Sequence, residues 1–199
     1  MRENRIRTLW REDKAVVNGW LAIPSTFSAE TMAHQGWDSL TVDMQHGVVD
    51  YQMAVNMLTA VSTTNTVPMV RVPWLDPGII MKSLDAGAYA VICPMINTRA
   101  EAEKLVSYVR YAPRGVRSFG PIRAFLYGGA DYPTHANDTV IPFAMIETTL
   151  LWRCLMLSMT PLKCSSSSAP SGRGSSMSWR TDSMYISLTT PTEGISDKP

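Results

Sequence analysis

The chain has 199 residues, 45% of them apolar, which is enough for one domain of moderate size, or one domain and a tail. Eighteen Lys and Arg against seventeen Asp and Glu leave a formal charge of +1, which argues against a broad basic surface for nucleic acid. No apolar run approaches the roughly 18 residues a membrane span needs. The N-terminal stretch is charged and has no apolar signal core, so a cytoplasmic setting is expected. Cys93, Cys154 and Cys164 are an odd number without metal-ligand spacing, and no disulfide framework is expected.

Strand and helix signals alternate through the first 150 residues. Val16 to Ile23 is rich in β-formers and ends at Pro24, which predicts a strand. Ser28 is placed to cap a helix over Ala29–Gln35, stopped by Gly36. Ser39–Val42 reads as a strand ending at Asp43. Asp50 can cap a helix over Tyr51–Ser62, with Ala54, Val55, Leu58 and Val61 on one face. Thr66–Val72 reads as a third strand. Pro77 suits the first turn of a helix running to Ala86, which Gly87 ends. Ala90–Cys93 is a fourth strand, Thr98 caps a helix over Arg99–Val109, and Val140–Ile146 is a fifth strand after a long loop.

This β-α order indicates a parallel sheet with crossover helices. Two architectures compete, the (β/α)₈ barrel and the open doubly wound sheet. No Gly-rich phosphate turn follows the first strand, which weakens the dinucleotide-binding alternative.

In both architectures chemistry sits at the carboxyl ends of the strands. There the second strand delivers Asp43 and His46, the third Arg71, and the fifth Glu147. Each has a bland reading. Asp43 can cap a turn, His46 can be an ordinary loop residue, Arg71 can be a structural ion pair, and Glu147 can open a helix. Asp85, near a helix end, reads as a surface residue. Three charged strand ends on one rim are harder to explain by packing, since burying charge is costly. A carboxylate for a cation, an arginine for a carbonyl oxygen and an Asp-assisted histidine suit chemistry beside a carbonyl, through a metal-stabilised enolate.

The segments GWLAIPST (19–26), LTVDMQHGVVDYQ (40–52), VPMVRVPW (67–74), LDAGAYAVICPMINT (84–98), YAPRGVRSFGP (111–121) and MIETT (145–149) resemble the HpcH/HpaI family of metal-dependent class II aldolases. The resemblance covers about residues 15–150. It implies a (β/α)₈ barrel that cleaves 4-hydroxy-2-oxo acids to pyruvate, or a related 2-oxo acid, and an aldehyde. It implies a divalent cation (Mg²⁺, Mn²⁺ or Co²⁺) with Glu147 as its first carboxylate ligand. It implies that Arg71 binds the carbonyl of the 2-oxo acid and steadies the enolate. His46 takes the place of the acid/base group acting through water, with Asp43 and Asp85 as orienting carboxylates. Trp20 lines the site, and Arg117 and Arg123 stand in the loop before the fifth strand, where substrate contact is expected. The resemblance further implies a homo-oligomer, commonly a hexamer. A related lyase acting on CoA thioesters is less favoured, because no basic, adenine-sized pocket signature is present.

Residues 151–199 have a different character, with twelve serines in 49 residues. An irregular Ser-rich tail is expected there. The family's second metal carboxylate and its sixth to eighth strands are absent from it, so the barrel is truncated after about five strands. Reverse translation with free codon choice, read two nucleotides on, gives Gly-Leu-Asp-Val-Tyr-Ile from 181–187. The tail is therefore expected to be a frame-shifted reading of the missing barrel, and the alternative to a working aldolase is an inactive remnant of one.

Overall fold

Five short apolar segments form parallel strands whose order settles the architecture. The computed structural model describes residues 1–148 and the strand at 184–187. Strands β1 (Asn18–Leu21), β2 (Ser39–Asp43), β3 (Val67–Arg71), β4 (Ala90–Cys93) and β5 (Ile141–Ile146) lie side by side in chain order, each parallel to the next. A doubly wound sheet reverses its order part-way, whereas a barrel adds each strand beside the last. The sequential order is the barrel's, and the doubly wound alternative falls away.

Side-chain caps start most of the crossover helices. Asn4, Ser25, Asp50, Asp76 and Thr98 each accept a backbone N–H at the start of α1 (Arg5–Arg11), α2 (Thr26–Ala33), α3 (Tyr51–Val61), α4 (Pro77–Asp85) and α5 (Arg99–Val109). At α5 the Glu101 side chain completes a capping box. The α2 cap is Ser25 rather than Ser28. Ser28 lies inside the helix and donates its N–H to Ser25 Oγ, so α2 starts three residues earlier than the sequence suggests. The stretch expected as one long loop before β5 holds α6 (Ile122–Gly128) and α7 (Tyr132–Thr139), neither with a side-chain cap.

Pairing register divides the sheet into two faces. Leu40, Val42, Val70, Val91 and Cys93 share one face and are fully buried. The other face is more polar toward β1 and β2. There Asn18 Oδ1 accepts hydrogen bonds from Ser39 Oγ (2.9 Å) and Thr41 Oγ1 (3.0 Å), so these buried hydroxyls are satisfied. Trp20, Asp43, Arg71 and Met145 continue this face toward the carboxyl ends.

A sixth strand, β6 (Met184–Ser187), pairs antiparallel with β5. The tail was expected to be irregular, and here it contributes a strand. Its direction is opposite to that of a barrel's sixth strand. The rest of the tail, including Cys154, Cys164 and the serine run 165–168, lies outside the described residues.

Candidate active site

Adjacent strand ends build the site. Asp43 closes β2 and Arg71 closes β3, and the two are direct Cα partners in the register. Arg71 Nε donates to Asp43 Oδ1 at 2.9 Å and Nη2 to Oδ2 at 2.5 Å, a fork-to-fork pair. Asp43 Oδ1 also accepts the backbone N–H groups of Gln45 (3.0 Å) and His46 (3.2 Å). One carboxylate thus caps the turn that carries His46 and orients the guanidinium. Burial pushes the Asp43 carboxyl up, but the Arg71 hydrogen bond, the His46 and Gln45 amides and the Arg71 charge outweigh it and hold it below the ordinary carboxylate range.

The turn after β2 is tight enough to require Gly47. A Cβ there would lie 2.3 Å from the Asp43 carbonyl oxygen and 3.0 Å from Ala22 Cα. The backbone N–H of Val48 donates to Ala22 O at 3.1 Å, tying this turn to the loop after β1. His46 is exposed at the rim.

Trp20 stands on β1 beside this pair, 39% exposed. The guanidinium carbon of Arg71 lies 4.6 Å from the Trp20 ring centroid, a cation–π contact. Arg71 Nη1 lies 3.9 Å from Met145 Sδ, which links β3 to the inward face of β5. Glu147 follows Met145 by two residues at the end of β5. It is exposed, and its Oε2 accepts the Met95 N–H at 3.2 Å.

The structure therefore gathers Asp43, His46, Arg71, Trp20 and Glu147 at the carboxyl ends of the strands. It does not bring Asp85, Arg117 or Arg123 to them. Asp85 is the last residue of α4 and pairs with Arg117 Nη2 at 2.8 Å. The Arg117 side chain is fully buried against the Tyr111 ring and donates to Tyr132 Oη. Arg123 donates to Ala86 O (2.6 Å), Ser62 Oγ (2.8 Å) and Leu58 O (3.4 Å). Those groups end α3 and α4, where the chain enters β3 and β4, opposite the rim. The contacts of Arg123 are those of a clamp on two helix ends rather than of a substrate ligand.

Comparison with known proteins decides the family. The family model described as HpcH/HpaI aldolase/citrate lyase matches residues 18–151. The chain belongs to this family. A hydroxypyruvate/pyruvate aldolase of Rhizorhabdus wittichii is 47% identical over 145 residues, covering 73% of this chain and 58% of that protein. A 4-hydroxy-2-oxo-heptane-1,7-dioate aldolase of Shigella flexneri is 33% identical over 149 residues, covering 73% and 56%. A crystal structure of an HpcH/HpaI aldolase/citrate lyase family protein from Burkholderia cenocepacia aligns with a TM-score of 0.68 at 31% identity, covering 73% of this chain and 60% of that one. Macrophomate synthase aligns with a TM-score of 0.61 at 25% identity, covering 71% and 51%. The chain spans a little over half the length of the curated relatives it matches.

The HpcH/HpaI family depends on a divalent metal. Among the described residues no group of three His, Cys, Asp or Glu side chains could hold an ion. Glu147 fits as a single carboxylate ligand, being exposed at the rim and engaged by one backbone N–H. Asp43 does not, because both its oxygens are taken by Arg71. One carboxylate suffices for a hard cation that keeps several waters and takes substrate oxygens.

Sequence reasoning missed the supports of this HpcH/HpaI site. The Asn18–Ser39–Thr41 cluster lies two residues below Trp20 and Asp43. Asn97 receives the Thr148 hydroxyl at 2.8 Å. Period-two spacing of polar residues on β1 and β2 could have pointed to the first, and nothing in the sequence pointed to the second.

Proposed function

We propose that this chain carries the site of a carbon–carbon lyase that cleaves 4-hydroxy-2-oxo acids to pyruvate, or a related 2-oxo acid, and an aldehyde. One observation carries the reading: a guanidinium fixed by Asp43 and backed by Trp20 at the rim of strand ends where the exposed carboxylate of Glu147 follows β5. The hydroxypyruvate/pyruvate aldolase among the relatives supports the substrate class.

Arg71 is placed to donate to the 2-oxo oxygen of the substrate. Loss of the proton from the 4-hydroxyl then breaks the C3–C4 bond. The aldehyde leaves, and the electron pair passes into the enolate of the 2-oxo acid. The Arg71 charge steadies the oxyanion, and Asp43 spares it reorientation during the reaction. His46, through water, takes the 4-hydroxyl proton and returns one to C3. A bound Mg²⁺, Mn²⁺ or Co²⁺ at Glu147 would add Lewis-acid charge at the enolate oxygen. We place the protein in the cytoplasm as a homo-oligomer, a hexamer by family, acting on small molecules and not on nucleic acid or membranes. No helix among the described residues is long and apolar enough to cross a membrane.

Pyruvate release from a 4-hydroxy-2-oxo acid, measured with Mn²⁺ present, tests the reading. Arg71→Ala is expected to lower the rate at least 100-fold. A rate in Arg71→Ala equal to that of the unaltered chain would sink it.

A second reading has its own support. The family match ends at residue 151, where the composition changes. On this reading residues 1–150 are a partial aldolase barrel, and residues 151–199 are a frame-shifted product that leaves an inactive remnant. Sequencing the gene across codons 140–200 tests it. A shifted frame encoding further barrel strands supports it, and the absence of such a frame removes it.

A further inference from the structure

The loop between β4 and α5 carries a backbone strain that nothing in its own fold requires. Met95 has φ +56, in the left-handed region that a side chain with a Cβ disfavours. The only other described non-glycine residue there is Asp13, in the turn after α1. Strain of this kind persists only where surrounding contacts over-determine it, and such positions cluster at functional sites.

The contacts are present, and they lead to the end of β5. Asn97 Nδ2 donates to the Met95 carbonyl oxygen at 2.9 Å. Asn97 Oδ1 accepts from Thr148 Oγ1 at 2.8 Å. The Ile96 N–H donates to Met145 O at 3.1 Å. With its backbone held in this way, Met95 presents its N–H to Glu147 Oε2 at 3.2 Å. Residues 95, 96 and 97 thus contact Glu147, Met145 and Thr148 respectively.

Asn97 also has an ordinary explanation, as the residue preceding the cap of α5. That cap is made without its side chain. Thr98 Oγ1 accepts the Glu101 N–H, and Glu101 Oε2 accepts the backbone N–H groups of Asn97 and Thr98. Both ends of the Asn97 amide are spent on the rim instead.

We infer that Asn97 is a positioning residue for Glu147, acting through the left-handed backbone of Met95. It fixes Met95 so that its N–H occupies one carboxylate oxygen and leaves the other for a divalent cation. The inference rests on the reading of Glu147 as the cation-facing carboxylate. Removing a group that orients a metal ligand commonly weakens the metal about 10- to 100-fold.

Mn²⁺ with pyruvate present at saturating concentration is the probe, with the metal's affinity for the purified full chain read by electron paramagnetic resonance. Glu147→Gln tests the underlying reading and is expected to abolish binding. Asn97→Ala is expected to weaken Mn²⁺ about tenfold or more. Met95→Gly added to Asn97→Ala is expected to recover much of that loss, because glycine adopts the left-handed backbone without support. A purely structural role for Asn97 would give no such recovery. Should Asn97→Ala fail to fold, Asn97→Leu makes the same test, since it keeps the side-chain volume, adds no charge and loses both the donor to Met95 and the acceptor for Thr148. If Glu147→Gln loses Mn²⁺ while the position-97 variants bind within twofold of the unaltered chain, the inference is overturned and the reading of Glu147 stands. If the unaltered chain does not bind Mn²⁺, or Glu147→Gln binds it equally well, both are overturned.

Discussion

Asp43 and Arg71 face each other across β2 and β3 and join through two hydrogen bonds of 2.9 and 2.5 Å. Neither the capping explanation of Asp43 nor the functional one excludes the other. The same carboxylate holds the His46 turn and aims the arginine. This double duty makes the pair a test of both stability and chemistry.

Asp43→Asn should cost about 2–4 kcal/mol, because it leaves a nearly buried guanidinium without its counter-charge. The pH dependence has a definite sign. The folded-state pKa of Asp43 is depressed, so its stabilisation is fully present above the unfolded value of about 3.9. It is lost as pH falls through the lower folded value. Urea denaturation of both proteins should therefore show the full difference at pH 7 and a shrinking one below about pH 4. A difference that stays constant between pH 7 and pH 3 would rule out the charge pair as its source.

Asp85 and Arg117 should behave as one unit. The Arg117 side chain has no exposed surface, and its partners are Asp85, Tyr132 Oη and the Tyr111 ring. Asp85→Asn leaves that charge buried without its carboxylate, while the double variant with Arg117→Met removes both charges. The two substitutions should couple by about 1–3 kcal/mol in a double-mutant cycle of unfolding free energies. Simple additivity would mean that the pair is not formed in solution.

Much of the fold was legible because local chemistry agrees with tertiary structure. Thr98 marks the start of α5, Asp50 that of α3 and Pro77 that of α4, and in the structure Glu101 and Asp76 add caps of their own. The missed helices lack such signals. α6 begins at Pro121 with no side-chain cap, and α7 (YPTHANDT) is written in residues that favour turns. α1 was passed over as a charged stretch. Its anchor is Ile6, fully buried, with Arg7 donating to the carbonyls of Thr139 and Val140. The rim residues Asp43, Arg71 and Glu147 were legible because strand ends share a rim in any parallel α/β fold. Arg123 was misplaced because a position in the loop before β5 does not say which end of the barrel a side chain reaches. Met95 and Asn97 were invisible, since a left-handed methionine has no sequence signal.

Cys93 should be chemically silent in the folded protein. Burial pushes its thiol up to about 12, with a smaller contribution from Glu101. At pH 8 the thiolate fraction is then about 10⁻⁴, and the sulfur is inaccessible. Alkylation followed by peptide mass mapping should leave Cys93 unmodified under native conditions and modify it fully in denaturant. Rapid native modification would mean that the sheet around β4 opens readily.

Gly87 and Arg123 offer a sharper test of the clamp at the helix ends. Arg123→Ala strips donors from Ala86 O, Leu58 O and Ser62 Oγ, and should cost about 1–3 kcal/mol. If Arg123 instead bound substrate, its loss would weaken 2-oxo acid binding with little change in stability. Gly87→Ala meets two obstacles, a φ of +100 and a Cβ only 2.5 Å from Arg123 Nη1. It should cost about 1–3 kcal/mol. The steric part disappears once Arg123 is removed, while the backbone part remains. The double variant should therefore be more stable than the sum of the single losses predicts, by a margin that measures the clash. Thermal denaturation of the four proteins gives that margin directly, and strict additivity would show that Arg123 does not lie against Gly87.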